Sequence, residues 1–140
     1  EISLGLVGSE MCIRDRVQIG TRFALTEESS ASSVFKDYCL SLREGDTKLL
    51  LKKLAPTRLV KNAFREAVEK AEDSGASAED LRTLLGRGRA KKGIFEGDLE
   101  EGELEIGQVS AIISRRQSVA EVMNELVAAY QRAAKKDYLF

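Results

Sequence analysis

The chain of 140 residues contains no histidine. The imidazole is the side chain most readily recruited for proton transfer near neutral pH and for zinc ligation, so neither a histidine-based acid–base site nor a histidine-ligated metal centre is available to this polypeptide. Cysteine is scarce as well: Cys12 and Cys39 are too few and too unpatterned for a disulfide framework or a structural zinc site, and both read as free thiols in a reducing compartment. No apolar run approaches the ~18 residues of a membrane-spanning helix, and no charged-then-apolar leader with a small-residue cleavage site is evident. Excess charge of either sign is also missing. With 22 basic and 23 acidic residues nearly cancelling, the overall charge gives no support for nucleic acid or an anionic membrane as partner. A soluble, cytoplasmic protein is expected.

A hydrophobic content of 43% provides enough apolar material for a modest core. The most informative stretch is VQIGTRFALTEES, residues 17–29. Val17, Ile19, Phe23 and Leu25 supply strand-like bulk, and Gly20 with Thr21 interrupts it by a residue lacking Cβ and one carrying a hydroxyl. A short helix opening near Thr26, with Glu27 and Glu28 in its first turn, would leave backbone N–H groups beside the strand end, suited to an anion. By itself the run is equally a buried strand, a bend and a helix cap. Arg22 either adds positive charge there, points to solvent, or pairs with Glu27 or Glu28.

Downstream, Val34, Phe35, Tyr38, Cys39 and Leu42 recur at helical spacing, which predicts a helix over 33–42 that ends near Gly45. Residues 48–54 read as a short extended segment bounded by Asp46 and Pro56. Pro56 suits a first helical turn, and Val60, Ala63, Phe64, Ala67, Val68 and Ala71 form a stripe that stops before Gly75. Ser77 can cap a further helix bearing Leu81, Leu84 and Leu85 and ending at Gly86. Gly86, Gly88 and Gly93 punctuate a basic run (Arg87, Arg89, Lys91, Lys92) that resembles a phosphate loop only superficially. It lacks the Gly-Lys-Ser/Thr ending, it has no interleaved aromatics, and acidic residues follow at once, so it reads as a solvated face. Glu100 and Glu101 read as surface charge. Ile106, Val109, Ile112 and Ile113 are expected to be buried on a helix starting near Gly107. Ser118 and Glu121 have capping-box spacing ahead of a last helix whose face carries Val119, Val122, Met123, Leu126, Val127 and Tyr130.

Three blocks, VQIGTRF, GRGRAKKGIFEGD and EIGQ, occur in this order across residues 17 to 136. In that order they resemble the C-terminal part of the nitronate monooxygenase family, flavin-dependent barrels that include the enoyl-acyl-carrier-protein reductases of the second type. The resemblance implies an α/β fold: a C-terminal fragment of a TIM-type (β/α)8 barrel, with one late strand followed by a mostly helical region. A complete barrel takes about 250 residues, which places most of it upstream of residue 17. The absence of histidine agrees with a fragment, since relatives are thought to use one near the flavin. The resemblance also implies FMN as the cofactor of the parent protein, with NAD(P)H a further possibility and a small molecule as substrate.

Site residues follow from the same resemblance. Gly20 and Thr21 correspond to a pair that holds the FMN phosphate through backbone N–H groups and a hydroxyl. Gly107 and Gln108 correspond to a late Gly-Gln pair close to the flavin and substrate, where Gln108 could hydrogen-bond or, equally, satisfy nearby backbone. Leu104, Glu105 and Ile106 stand where relatives often have small or sulfur-containing residues. Residues 1–16 resemble a translated sequencing-adapter read-through and are set apart as non-native; 17–136 form the barrel-derived unit and 137–140 a tail. The expected function is that of an FMN-dependent nitronate monooxygenase-like oxidoreductase in the parent, with the fragment inactive alone. An enoyl-acyl-carrier-protein reductase and a non-enzymatic helical interaction domain are the alternatives.

Overall fold

The computed structural model of the chain describes residues 17–134. The non-native leader expected at 1–16, the tail at 137–140 and Cys12 lie outside the described residues.

A hairpin organises the molecule. Strands β1 (Thr47–Leu50) and β2 (Thr57–Val60) pair antiparallel with Thr47 opposite Val60 and Leu50 opposite Thr57. Successive side chains of a strand point to opposite faces, and β2 uses this to serve two cores. Val60 is fully buried with Leu25, Phe35, Cys39, Leu42, Leu104, Ile106 and Ile113. Leu59 is buried with Leu50, Leu51, Phe64, Val68 and Leu81 on the other side. Each such burial contributes about 1.5–3 kcal/mol. Residues 104–106 extend the ladder as a third line: Val60 N donates to Leu104 O at 3.0 Å, Ile106 N donates to Arg58 O at 3.3 Å, and Leu59 faces Glu105. The extended segment expected over 48–54 is therefore β1. The helix expected from Pro56 is corrected, because residues 57–60 are β2. The Thr-Arg-Leu-Val alternation wins there, since a helix would have placed Leu59 and Val60 on neighbouring faces and could not divide them between two cores.

The helices follow their capping signals. Helix α1 is a single turn, Thr21–Ala24. Ser32 opens α2 (Ser33–Leu40) by accepting from Phe35 N, and Phe35 and Cys39 turn inward. Lys36 is buried too, its ammonium donating to the carbonyls of Glu27 and Ser29 at 3.1 and 2.7 Å. Asn62 caps α3 (Ala63–Asp73), and its amide nitrogen also donates to Leu99 O and Gly102 O. Ser77 and Asp80 form a reciprocal capping box on α4 (Ala78–Leu85), which packs on α3 through Leu81. The acidic loop then returns under a π-helical turn, Lys91–Phe95. A Cβ at Gly102 would lie 2.2 Å from Gly93 Cα and 2.3 Å from Asp98 O, so this crossing needs glycine. A 3₁₀ turn, Gln108–Ile112, and helix α5, Val119–Ala134, complete the described chain.

Several expectations are corrected. The strand expected over 17–25, taken as a late barrel strand, does not form: residues 17–20 have no regular structure and 21–24 are helical. The Gly20 carbonyl accepts from both Phe23 N and Ala24 N at 3.0 Å, which folds the chain back locally, and no strand among the described residues offers residues 17–19 a ladder. Nor does the helix open near Thr26. Among the described residues the architecture is mixed α/β with two strands, and no barrel is formed. The helix expected at 106–113 is a short 3₁₀ turn, Gln108–Ile112; Ser110 within it and Ile106 and Ile113 beside it are buried, while Val109 and Ile112 are 45% and 74% exposed. On α5 only Val122 is buried, and Met123, Val127 and Tyr130 face solvent. No described helix is long and apolar enough to cross a membrane.

Candidate functional site

The Gly20–Thr21 turn and the EIGQ block meet, although 86 residues separate them: Gly107 N donates to Thr21 Oγ1 at 3.1 Å. Contact at this range requires glycine, since a Cβ at Gly107 would lie 2.5 Å from that oxygen. The contact is set by β2. Because residues 104–106 are hydrogen-bonded along it, Gly107 emerges at the ladder's end, against the first turn of α1.

Beside this junction lies an open cleft of about 310 Å³, lined by Thr21, Ala24, Arg58, Glu105, Ile106 and Gly107. Thr21 Oγ1 accepts from Gly107, and its own proton is left to donate. Gly20 is exposed, and a Cβ there would meet nothing within 4 Å, so its backbone is open to close approach. Arg58 reaches the cleft from β2, with one guanidinium nitrogen 3.2 Å from Thr47 Oγ1. In the antiparallel register Arg58 and Ile106 share one face of the ladder, and Glu105 shares the other with Leu59. Burial raises the Glu105 carboxyl above its ordinary value.

Thr21 and Gly107 are thus brought together. Gln108 follows immediately but is exposed and opens the 3₁₀ turn without lining the cleft. Arg22 is corrected: its guanidinium pairs with Glu125 at 2.9 Å and with Gln117, tying α1 to α5, and not with Glu27 or Glu28. Arg89 is corrected as well. It is no solvated cation, since it donates to Leu85 O at 3.0 Å and Glu101 O at 2.7 Å and lies 4.6 Å over the Phe64 ring. Arg58 was missed. Its signal was the β-type alternation of residues 57–60, masked by Pro56 and the helical stripe beyond.

The fold is similar to FabK from Thermotoga maritima, at a TM-score of 0.75 and 26% identity, over 86% of this chain and 38% of that one. A point mutant of the same FabK matches at a TM-score of 0.69 and 23% identity, over 86% of this chain and 35% of that one. The chain thus spans well under half the length of the solved relatives. The nitronate monooxygenase family model matches residues 15–129. The chain belongs to the nitronate monooxygenase family, a family of oxidoreductases.

Proposed function

We propose that this chain is the C-terminal piece of an FMN-dependent nitronate monooxygenase and carries the end of the flavin site that holds the phosphate. The observation that supports the reading most is the Thr21–Gly107 hydrogen bond, which joins two family blocks at one cleft. The residues suit the group. Gly20 leaves open space, the Thr21 hydroxyl has a proton to give, and Arg58 supplies positive charge on the cleft wall. A volume of about 310 Å³ is at the small end of ligand pockets, about 300–1,000 Å³. It suits the anionic tail of a flavin nucleotide, with the ring system carried by the rest of the parent.

When bound, the flavin supplies the redox chemistry. In this reading Gly20 and Thr21 anchor the phosphate through backbone N–H and hydroxyl groups, Gln108 presents an amide toward the ring and the small-molecule substrate, and Gly107 keeps the Thr21 hydroxyl oriented. No histidine is present to move a proton, so the piece is inactive alone, and the parent's remaining part supplies that group. The cytoplasm is the expected compartment, in keeping with the free buried thiol of Cys39.

The likeness to FabK favours a second reading, an enoyl-thioester reductase using NAD(P)H. Assaying the full-length parent with propyl nitronate and oxygen, and separately with NAD(P)H and a crotonyl thioester, distinguishes them. Turnover of the nitronate alone is the expected result. Reduction of the thioester alone overturns the first reading in favour of the second, and the absence of bound flavin overturns both.

A further inference from the structure

Five arginines among the described residues are half-buried: Arg22, Arg58, Arg65, Arg89 and Arg116. Taking a guanidinium partly out of water is costly unless an anion accompanies it. Four of the five have one. Arg22 pairs with Glu125, Arg65 with Glu69, Arg89 with Glu101 and Arg116 with Asp37. Arg58 has no carboxylate partner among the described residues; its recorded side-chain bonds all run from one terminal nitrogen to Thr47, at 3.4 Å to the carbonyl and 3.2 Å to the hydroxyl. The rest of its donor fork has no partner among the described residues. Arg58 is also the arginine that lines the cleft, together with Thr21 and Gly107. Glu105 also lines the cleft, but it stands on the other face of the ladder register from Arg58 and forms no ion pair with it.

We infer that Arg58 is the counter-ion of this cleft, binding the dianionic phosphate monoester of the ligand through its free guanidinium edge. The inference rests on the phosphate-end reading of the cleft given above, and adds to it a residue from β2 that neither the Gly20–Thr21 block nor the Gly107–Gln108 block contains. A guanidinium presents two parallel N–H donors that match two phosphate oxygens, and the anchoring of its remaining nitrogen by Thr47 fixes the fork before the ligand arrives. Selectivity follows: the cleft should discriminate FMN from riboflavin, which has the same ring and lacks the phosphate, mainly through Arg58.

The test titrates the flavin-free full-length parent with FMN, riboflavin and inorganic phosphate, following flavin fluorescence and the arginine side-chain NMR resonances. The wild type should bind FMN about tenfold more tightly than riboflavin. Arg58→Gln should reduce that preference to about twofold or less, and Arg58→Lys, which keeps a charge but not the fork, should fall between them. Should Arg58→Gln fail to fold, the wild type alone still decides, because the Arg58 Nε–H resonance must shift saturably with inorganic phosphate. A wild type that prefers FMN while Arg58→Gln keeps the full preference, or while the Arg58 resonance stays still, overturns the role of Arg58 and leaves the phosphate reading intact. A wild type that does not distinguish FMN from riboflavin and ignores phosphate overturns the phosphate reading and this inference together.

Discussion

The backbone N–H of Gly107 donates to the hydroxyl oxygen of Thr21 at 3.1 Å, closing the ladder's end onto the first turn of α1. Gly107→Ala inserts a methyl 2.5 Å from that oxygen, and no positive φ adds to the effect, since Gly107 sits at φ −70°. Loss of the bond plus local overpacking should cost about 1–3 kcal/mol in urea unfolding. In a Thr21→Ala background the same substitution should cost less than half as much, because the oxygen it collides with is gone. Equal costs in the two backgrounds would show that the two residues are not coupled.

Arg89 joins three segments: it caps the last carbonyls of α4, donates to the Glu101 carbonyl of the acidic loop, and covers Phe64 of α3. Arg89→Met should therefore destabilise the fold by about 2–4 kcal/mol, the sum of charge-assisted hydrogen bonds and a cation–π contact. Arg89→Lys should recover little, since an ammonium cannot serve three carbonyls in a planar fork. Near-complete recovery with lysine would reduce the role of Arg89 to charge alone.

Burial pushes the Glu103 carboxyl up to about 7 from 4.5, the nearby Glu105 adds to the rise, and Arg89 opposes it. A carboxyl raised on folding keeps its proton in the native state where the unfolded chain releases it. Its contribution to stability is therefore full below 4.5, falls as pH rises, and is lost beyond about 7. Asp98 acts in a separate window. Lys92 and the backbone N–H groups of Glu100 and Glu101 hold its carboxyl down at about 2, so its contribution is present above 3.8 and is lost on acidification through about 2. Urea midpoints should decline between about pH 5 and pH 8, and Glu103→Gln should flatten that decline, gaining about 1–3 kcal/mol at the upper end. A midpoint that rises over this interval contradicts the assignment.

How much the sequence revealed depended on whether the signal was local. Ser77, and Ser118 with Glu121, were read as caps, and each satisfies helix N–H groups within three residues at the start of the helix expected there. Glu100 and Glu101 are exposed, in keeping with surface charge. Residues 57–60 and 17–25 misled for opposite reasons. The first run is a strand because β1 and residues 104–106 flank it, a tertiary circumstance that Pro56 and the stripe beyond concealed. The second has strand composition but no neighbour to pair with among the described residues. Arg89 was read as part of a solvated face, and only the folded chain shows the carbonyls that it and Lys36 serve. At the site, Gly20, Thr21 and Gly107 were legible as motif residues. Arg58 was not, since what sets it apart is having no acidic partner among the described residues, a property that no linear pattern records.

The most direct test is the flavin content of the full-length parent, purified as wild type and as Thr21→Val. Thr21→Val removes the hydroxyl while keeping the branched shape. The wild type should retain FMN in stoichiometric amount, and the variant should bind it about tenfold or more weakly while still folding. A parent that purifies without flavin, or a Thr21→Val variant that holds FMN as tightly as the wild type, would contradict the claim that this cleft anchors the nucleotide's phosphate.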